Sequence, residues 1–208
     1  YVPETGRWVP EGPFLDMDYL GMQMMEYPKN TLWVQADSSL EQYHLNSTPD
    51  SIQVTTSRLF GPNDGLPGRV AAVFTFQEQV QVSTTSGFFT YDEKNDSFYP
   101  STTLPALPPG LGDQAIISEW VRSKGAVYAW VKPEGIMLTL DSIPDNTFQW
   151  VELPRISTHP ANGYRFYPDK EHRGPNDPAI WLSTDDGLLR YSPTDMQSPD
   201  MAWQTFIR

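Results

Sequence analysis

Four copies of one pattern, about fifty residues apart, constrain this chain more than any other feature. They are Leu32-Trp33-Val34-Gln35-Ala36-Asp37-Ser38-Ser39-Leu40, Val80-Gln81-Val82-Ser83-Thr84-Thr85-Ser86-Gly87-Phe88, Tyr128-Ala129-Trp130-Val131-Lys132-Pro133-Glu134-Gly135-Ile136 and Ile180-Trp181-Leu182-Ser183-Thr184-Asp185-Asp186-Gly187-Leu188. They begin at residues 32, 80, 128 and 180, so successive starts lie 48, 48 and 52 residues apart. Seven residues into the copies stand Ser39, Gly87, Gly135 and Gly187; four residues later come Tyr43, Tyr91, Thr139 and Tyr191. A steady period of this size marks units that cannot bury both faces alone and must stack on their neighbours.

The chemistry inside one copy is that of a hairpin. A short apolar run makes a strand, a turn follows where glycine supplies positive φ, and a second strand carries the tyrosine. Asp186-Gly187 is the clearest such turn. Upstream lie further apolar stretches, Met22 to Tyr27, Val70 to Phe76, Ile116 to Val121 and Tyr164 to Tyr167. Downstream lie Ile52 to Phe60, Phe98-Tyr99, Phe148 to Leu153 and Trp203 to Ile207. Each unit is therefore expected to hold four antiparallel strands, and the chain to be an all-β propeller. The expected divisions are residues 1–12, the outer-strand remnant of a preceding blade around Trp8-Val9-Pro10, then blades at 13–60, 61–100, 101–154 and 155–208. Gly61 to Gly68 reads as a turn-rich link between blades. Pro100 to Gly112 reads as a Pro-rich excursion, extended and exposed.

Composition agrees with strands. The chain has 20 Pro and 14 Gly in 208 residues, which interrupt long helices, and 13% aromatic residues, which suit pleated surfaces. A chain that starts at Tyr1 rather than Met and stops after a terminal strand is expected to be a fragment or processed product, an incomplete set of blades from a larger propeller. Acidic residues outnumber basic ones by 26 to 14, a net charge of -12, which disfavours nucleic acid and anionic lipid as partners. The absence of cysteine excludes disulfides and thiolate chemistry. No apolar run is long enough to span a bilayer.

The Asp64-Gly65-Leu66-Pro67 stretch, the strand Val80 to Thr85, and the run Gly87-Phe88-Phe89-Thr90-Tyr91-Asp92 together resemble the two-component regulator propeller repeat. Ile180 to Tyr191 resembles it as well. The second and fourth units match well; the first lacks the glycine and the third has Lys132-Pro133-Glu134-Gly135 at the turn. The resemblance implies a periplasmic sensor region of a membrane-anchored bacterial signalling protein. A triple-tyrosine immunoglobulin-like domain and a membrane span would follow, and then a cytoplasmic histidine kinase, nucleotide cyclase or DNA-binding output. The partners it implies are the adjoining blades, that immunoglobulin-like domain, a small molecule such as a glycan, and a second copy in a homodimer.

Residues with chemical potential each have a plainer structural reading. Trp33, Trp130 and Trp181 recur by repeat, which points to packing between blades rather than to glycan platforms. His44, His159 and His172 do not form a ligand set, although His172 lies near Asp169, Glu171 and Asp177. Asp16 with Asp18, and Asp185 with Asp186, are too close in sequence to straddle a substrate as hydrolase carboxylates do. Asn46-Ser47-Thr48 and Asn95-Asp96-Ser97 are formal glycosylation acceptors. No catalytic, cofactor-binding or metal-binding residue is assigned, no cofactor is expected, and the ligand-binding residues stay unnamed. The expected function is that of an extracytoplasmic sensor that is not itself an enzyme. The alternatives are a propeller-based lyase or glycosidase, and a non-catalytic interaction scaffold.

Overall fold

The computed structural model describes residues 23–36, 38–48, 52–133, 135–143, 147–153, 165–168, 179–184, 187–193 and 203–207. Four four-stranded antiparallel sheets follow one another along the chain. The first holds β1 (Gln23–Glu26), β2 (Thr31–Ala36), β3 (Ser39–Ser47) and β4 (Ile52–Phe60), in that spatial order. The second holds β5 (Val70–Phe76), β6 (Gln79–Thr84), β7 (Gly87–Asp92) and β8 (Ser97–Pro100). The third holds β9 (Ile116–Ser123), β10 (Ala126–Lys132), β11 (Ile136–Ile143) and β12 (Thr147–Glu152), and the fourth β13 (Arg165–Pro168), β14 (Ile180–Thr184), β15 (Gly187–Tyr191) and β16 (Trp203–Ile207). One short 3-10 turn, Pro62–Asp64, is the helical element among the described residues. The sheets are four blades of a β-propeller. Residues 1–12, Asp16, Asp18, His159, His172, Asp185 and Asp186 lie outside the described residues.

The repeat seen in the sequence is the hairpin formed by the second and third strands of each blade. Leu32 pairs with Tyr43, Tyr128 with Thr139, and Ile180 with Tyr191. At the other end of the hairpin Ala36 pairs with Ser39, Thr84 with Gly87, and Thr184 with Gly187, each across a two-residue connection. Gly87 adopts φ 114°, the region that glycine enters without steric cost. In the first blade the Ser39 hydroxyl instead donates to the Ala36 carbonyl at 3.0 Å. The third blade carries a longer turn, and there Val131 pairs with Ile136.

The first strands face the propeller axis. Contacts join β1 to β5, β5 to β9 and β9 to β13. The Gln23 side-chain amide also donates to the Ser118 carbonyl at 2.5 Å, linking the first blade to the third.

Three apolar seams join successive blades, and alternation along the strands of the second and third blades divides their residues between two of them. Trp33, Leu40 and Phe60 of the first blade pack with Val73, Val82, Phe89 and Phe98 of the second. Ala72, Phe74, Phe76 and Phe88 turn the other way, onto Val127, Ala129, Val131, Leu138 and Trp150 of the third. Tyr128, Trp130 and Met137 leave that seam to meet Ile180, Leu182, Leu189 and Tyr191 of the fourth. Strands buried on both faces explain why the repeat reads as continuous apolar runs.

Leu66, 1% exposed, inserts into the first seam from the link. It is aimed there by a turn in which the Gly61 and Gly65 amides donate to the Asp64 carboxylate and the Pro62 carbonyl. The Pro-rich link is exposed or half-exposed along its length except at Leu104, and it is nevertheless held to the blades. Leu104 is buried in the second seam, the Trp150 indole donates to the Pro105 carbonyl at 3.0 Å, and the Gln81 amide reaches Thr103 Oγ1 at 3.4 Å. These partners strap the segment across the second and third blades.

Tyr191 gives the third seam a pH signature. Burial first, and the Asp141 carboxylate second, push its phenol up to about 12 from 10.0. The neutral phenol is the form the fold accepts. Its contribution is therefore complete below pH 10 and is lost as pH rises through 10 towards 12. Equilibrium unfolding of the native chain is expected to lose on the order of 1–3 kcal/mol more over that interval than Tyr191→Phe. Identical alkaline slopes for the two proteins would exclude this source.

Candidate functional site

Antiparallel order places the hairpin turns at two ends of the propeller. The links and the turns between second and third strands share one end. The turns β1–β2, β5–β6 and β7–β8 share the other.

At the link end, a cavity of about 400 Å³ lies beneath the Pro-rich strap, lined by Phe88, Leu104, Leu107 and Pro108 among others. Its hydroxyls serve the backbone. Ser83 Oγ accepts from Ile117 N at 3.2 Å, Thr84 Oγ1 donates to the Gly87 carbonyl at 3.1 Å, and Ser101 Oγ accepts from Thr103 N and Leu104 N. What remains is apolar, with few polar groups to orient a ligand.

The opposite end is chemically richer. A cavity of about 570 Å³ opens between the first and second blades, bounded by the tyrosines Tyr27, Tyr91 and Tyr99, by Gln42 and His44, and by Glu78, Asp92, Glu93 and Lys94. A second lobe, about 490 Å³, shares Gln42, His44, Tyr91 and Glu93 and adds Thr56, Ser57, Arg58 and Asp96. The shared residues make the two lobes one cleft, sized for a small molecule or a short oligomer.

Each wall has a local cause. The Tyr27 hydroxyl donates to the Glu78 carbonyl at 2.7 Å, and the Trp33 indole donates to the Tyr27 carbonyl at 2.7 Å. These bonds lock the β1–β2 turn over the β5–β6 turn. Gln77 and Glu78 form that second turn at φ 48° and 60°, which lifts the Glu78 side chain into solvent. Tyr91 packs edge-on against Trp33, with ring centroids 4.8 Å apart, and its hydroxyl donates to Asp96 Oδ1 at 2.7 Å. Burial raises the Tyr91 phenol above its ordinary range, with the hydrogen bond to Gln42 opposing it, so the ring is neutral at physiological pH. Tyr99 is 39% exposed and lines the cleft mouth.

Arg58 is the cleft's anchored cation. It pairs with Asp64 Oδ1 at 2.8 Å and with Asp96, and its guanidinium lies 4.7 Å from the Phe60 ring centroid. Its hydrogen bond holds the Asp64 carboxyl below the usual carboxylate range, helped by the Gly61 amide. The Asn95 side chain, followed by the Lys94 and Asn95 amides, lowers Asp92 in the same way. Both carboxylates are thus ionised at neutral pH and committed to structure.

The sequence-nominated tryptophans are divided by the fold. Trp33 and Trp130 are buried between blades, and Trp181 is half-buried. His44 is exposed and lines both lobes, its Nδ1 3.4 Å from Thr31 Oγ1. Among the described residues no group of three or more His, Asp or Glu is placed to hold a metal ion. Asn46 and Asn95 are both exposed. Sequence reasoning named none of Tyr27, Glu78, Glu93 and Tyr99 as binding candidates. They come from turns and strand ends of two different repeats, and their only sequence signal is position at one end of neighbouring hairpins.

The architecture, then, defines a propeller with a polar, aromatic cleft between its first two blades. No family model matches the chain, and no curated protein matches it. Solved structures share its fold. One is the extracellular domain of the one-component system BT4673 from B. thetaiotaomicron, 18% identical with a TM-score of 0.55 over 97% of this chain. A second structure of the BT4673 extracellular domain, described as a hybrid two-component system, gives 18% identity and a TM-score of 0.56 over 95% of this chain. The chain spans 23% of the length of each. Among the described residues no helix is long and apolar enough to cross a membrane.

Proposed function

We propose that this chain is a ligand-sensing propeller segment of an extracytoplasmic bacterial signalling receptor, with the cleft between its first and second blades as the binding site. The single observation that carries the reading is that cleft, where tyrosine, carboxamide and carboxylate groups from two blades converge. The fold likeness to extracellular domains of signalling systems, and the repeat resemblance, support the signalling context and the periplasmic location. The four blades belong, on this reading, to a larger propeller followed by an immunoglobulin-like domain. Binding between two blades offers a mechanism: an occupant that favours one blade-to-blade arrangement shifts the population the rest of the receptor reports.

The chain itself is proposed to carry no reaction. A glycosidase needs a carboxyl group held neutral as an acid. Asp64 and Asp92 are shifted the opposite way.

Thermal denaturation in the presence of an oligosaccharide panel tests the proposal. One ligand class is expected to raise the melting temperature, since about a hundredfold excess over Kd stabilises the folded form by roughly 2.7 kcal/mol. Tyr99→Ala is expected to abolish the rise while costing the unliganded protein only about 1–2 kcal/mol, because Tyr99 is 39% exposed on the short strand β8. A stabilising compound whose effect survives Tyr99→Ala would move the site elsewhere.

A further inference from the structure

We infer that the occupant of the cleft between the first two blades is an organic ammonium cation, protonated or quaternary. The inference rests on the sensing assignment of that cleft and names the charge of its ligand. Glu78 and Glu93 are exposed carboxylates on the rim and form no ion pair among the described residues. Asp92 and Asp96 stand beside them, the first bonded to Asn95 and the Lys94 amide, the second to Arg58 and the Tyr91 hydroxyl. Against these four anions the lining has Arg58, already engaged by Asp64 and Asp96, the Lys94 ammonium, and His44.

A ligand that covers the cleft removes water from Glu78 and Glu93. Uncompensated, that desolvation opposes binding. The Lys94 ammonium balances one of them at most, so a neutral ligand leaves the other without a counter-charge, and an anionic one adds repulsion. An ammonium supplies the missing charge. The aromatic surfaces favour the same chemistry. Tyr27, Tyr91 and Tyr99 line the lobe that holds the two free carboxylates, and the electron-rich faces of phenol rings attract organic cations. Gln42 is 5% exposed, and that exposure opens onto the cleft, giving an amide that orients the ligand frame. The net charge of -12 raises the local concentration of cations around the whole molecule.

Calorimetric titration with matched probes tests the charge. Choline is compared with its uncharged isostere 3,3-dimethylbutan-1-ol, and glucosamine with N-acetylglucosamine. The charged member of each pair is expected to bind at least about fivefold more tightly at low ionic strength, in the range of one cation–π contact. The preference is expected to shrink to about twofold or less at roughly 0.5 M salt, and in a Glu78→Gln/Glu93→Gln double variant. Both substitutions lie on exposed turns, so the double variant is expected to keep the parent melting temperature.

Equal or tighter binding of the neutral members, lost in Tyr99→Ala, overturns the charge inference and leaves the sensing assignment standing. Binding of neither amine overturns it as well, and the oligosaccharide screen then decides the sensing assignment alone. A preference for the amines that the double variant retains assigns the charge to another place and overturns the inference for this cleft.

Discussion

Replacing Gly65 by alanine is expected to cost about 2–4 kcal/mol of stability, far more than the loss of two hydrogens suggests. Gly65 sits at φ 84°, in the left-handed region that a Cβ makes unfavourable. The space is closed as well: a Cβ there would run into the Phe98 carbonyl oxygen and lie 2.9 Å from its carbon. Neither neighbour is a flexible side-chain tip that can swing aside; both are backbone of β8. Relief requires the link to lift, and that withdraws Leu66 from the first seam. Equilibrium denaturant unfolding of Gly65→Ala is therefore expected to show a lower midpoint at an unchanged slope. A midpoint within experimental error of the parent would mean that the Asp64-Gly65-Leu66-Pro67 turn does not hold the first two blades together as described.

Trp33→Ala is expected to cost still more, about 3–5 kcal/mol. The Trp33 ring is fully buried, lies 5.6 Å from the Phe60 ring and 6.0 Å from Phe98, and packs edge-on against Tyr91. Its indole nitrogen holds the Tyr27 carbonyl, so the change also loosens the turn over the cleft. A fold whose total stability is of order 5–15 kcal/mol feels such a loss across the whole chain. Chemical denaturation monitored by near-ultraviolet circular dichroism gives the number. A cost below about 1 kcal/mol would identify Trp33 as a surface platform and contradict the seam.

Much of the architecture is legible in the sequence because blade hairpins are local. The residues that open and close the repeat, Leu32 with Tyr43 and Ile180 with Tyr191, are direct partners across two strands joined by two residues. Alternation and a turn residue suffice to set that register. Trp33 and Trp130 are both buried in seams although they stand at different positions of the repeat, the second and the third, where the second unit has Gln81 and Val82. The Pro-rich link is less legible. Its composition reads as solvated, yet Trp150 and Gln81, distant in sequence, supply the indole and amide that hold it down. The cleft is the least legible part. Glu78 and Glu93 look like ordinary turn residues, and nothing in either repeat says that the β5–β6 turn lies against Tyr27 of the preceding blade. That juxtaposition is a product of blade stacking, which a linear pattern does not record.

The central claim is that an occupant seats between the first two blades. Fluorotyrosine labelling followed by 19F NMR tests it most directly, with resonances assigned by single Tyr→Phe changes. With the compound that most raises the melting temperature, the resonances of Tyr91 and Tyr99 are expected to move in a saturable way. Those of Tyr128 and Tyr191, buried in the third seam, are expected to hold still. Saturable shifts at Tyr128 and Tyr191, with Tyr91 and Tyr99 unmoved, would contradict the claim.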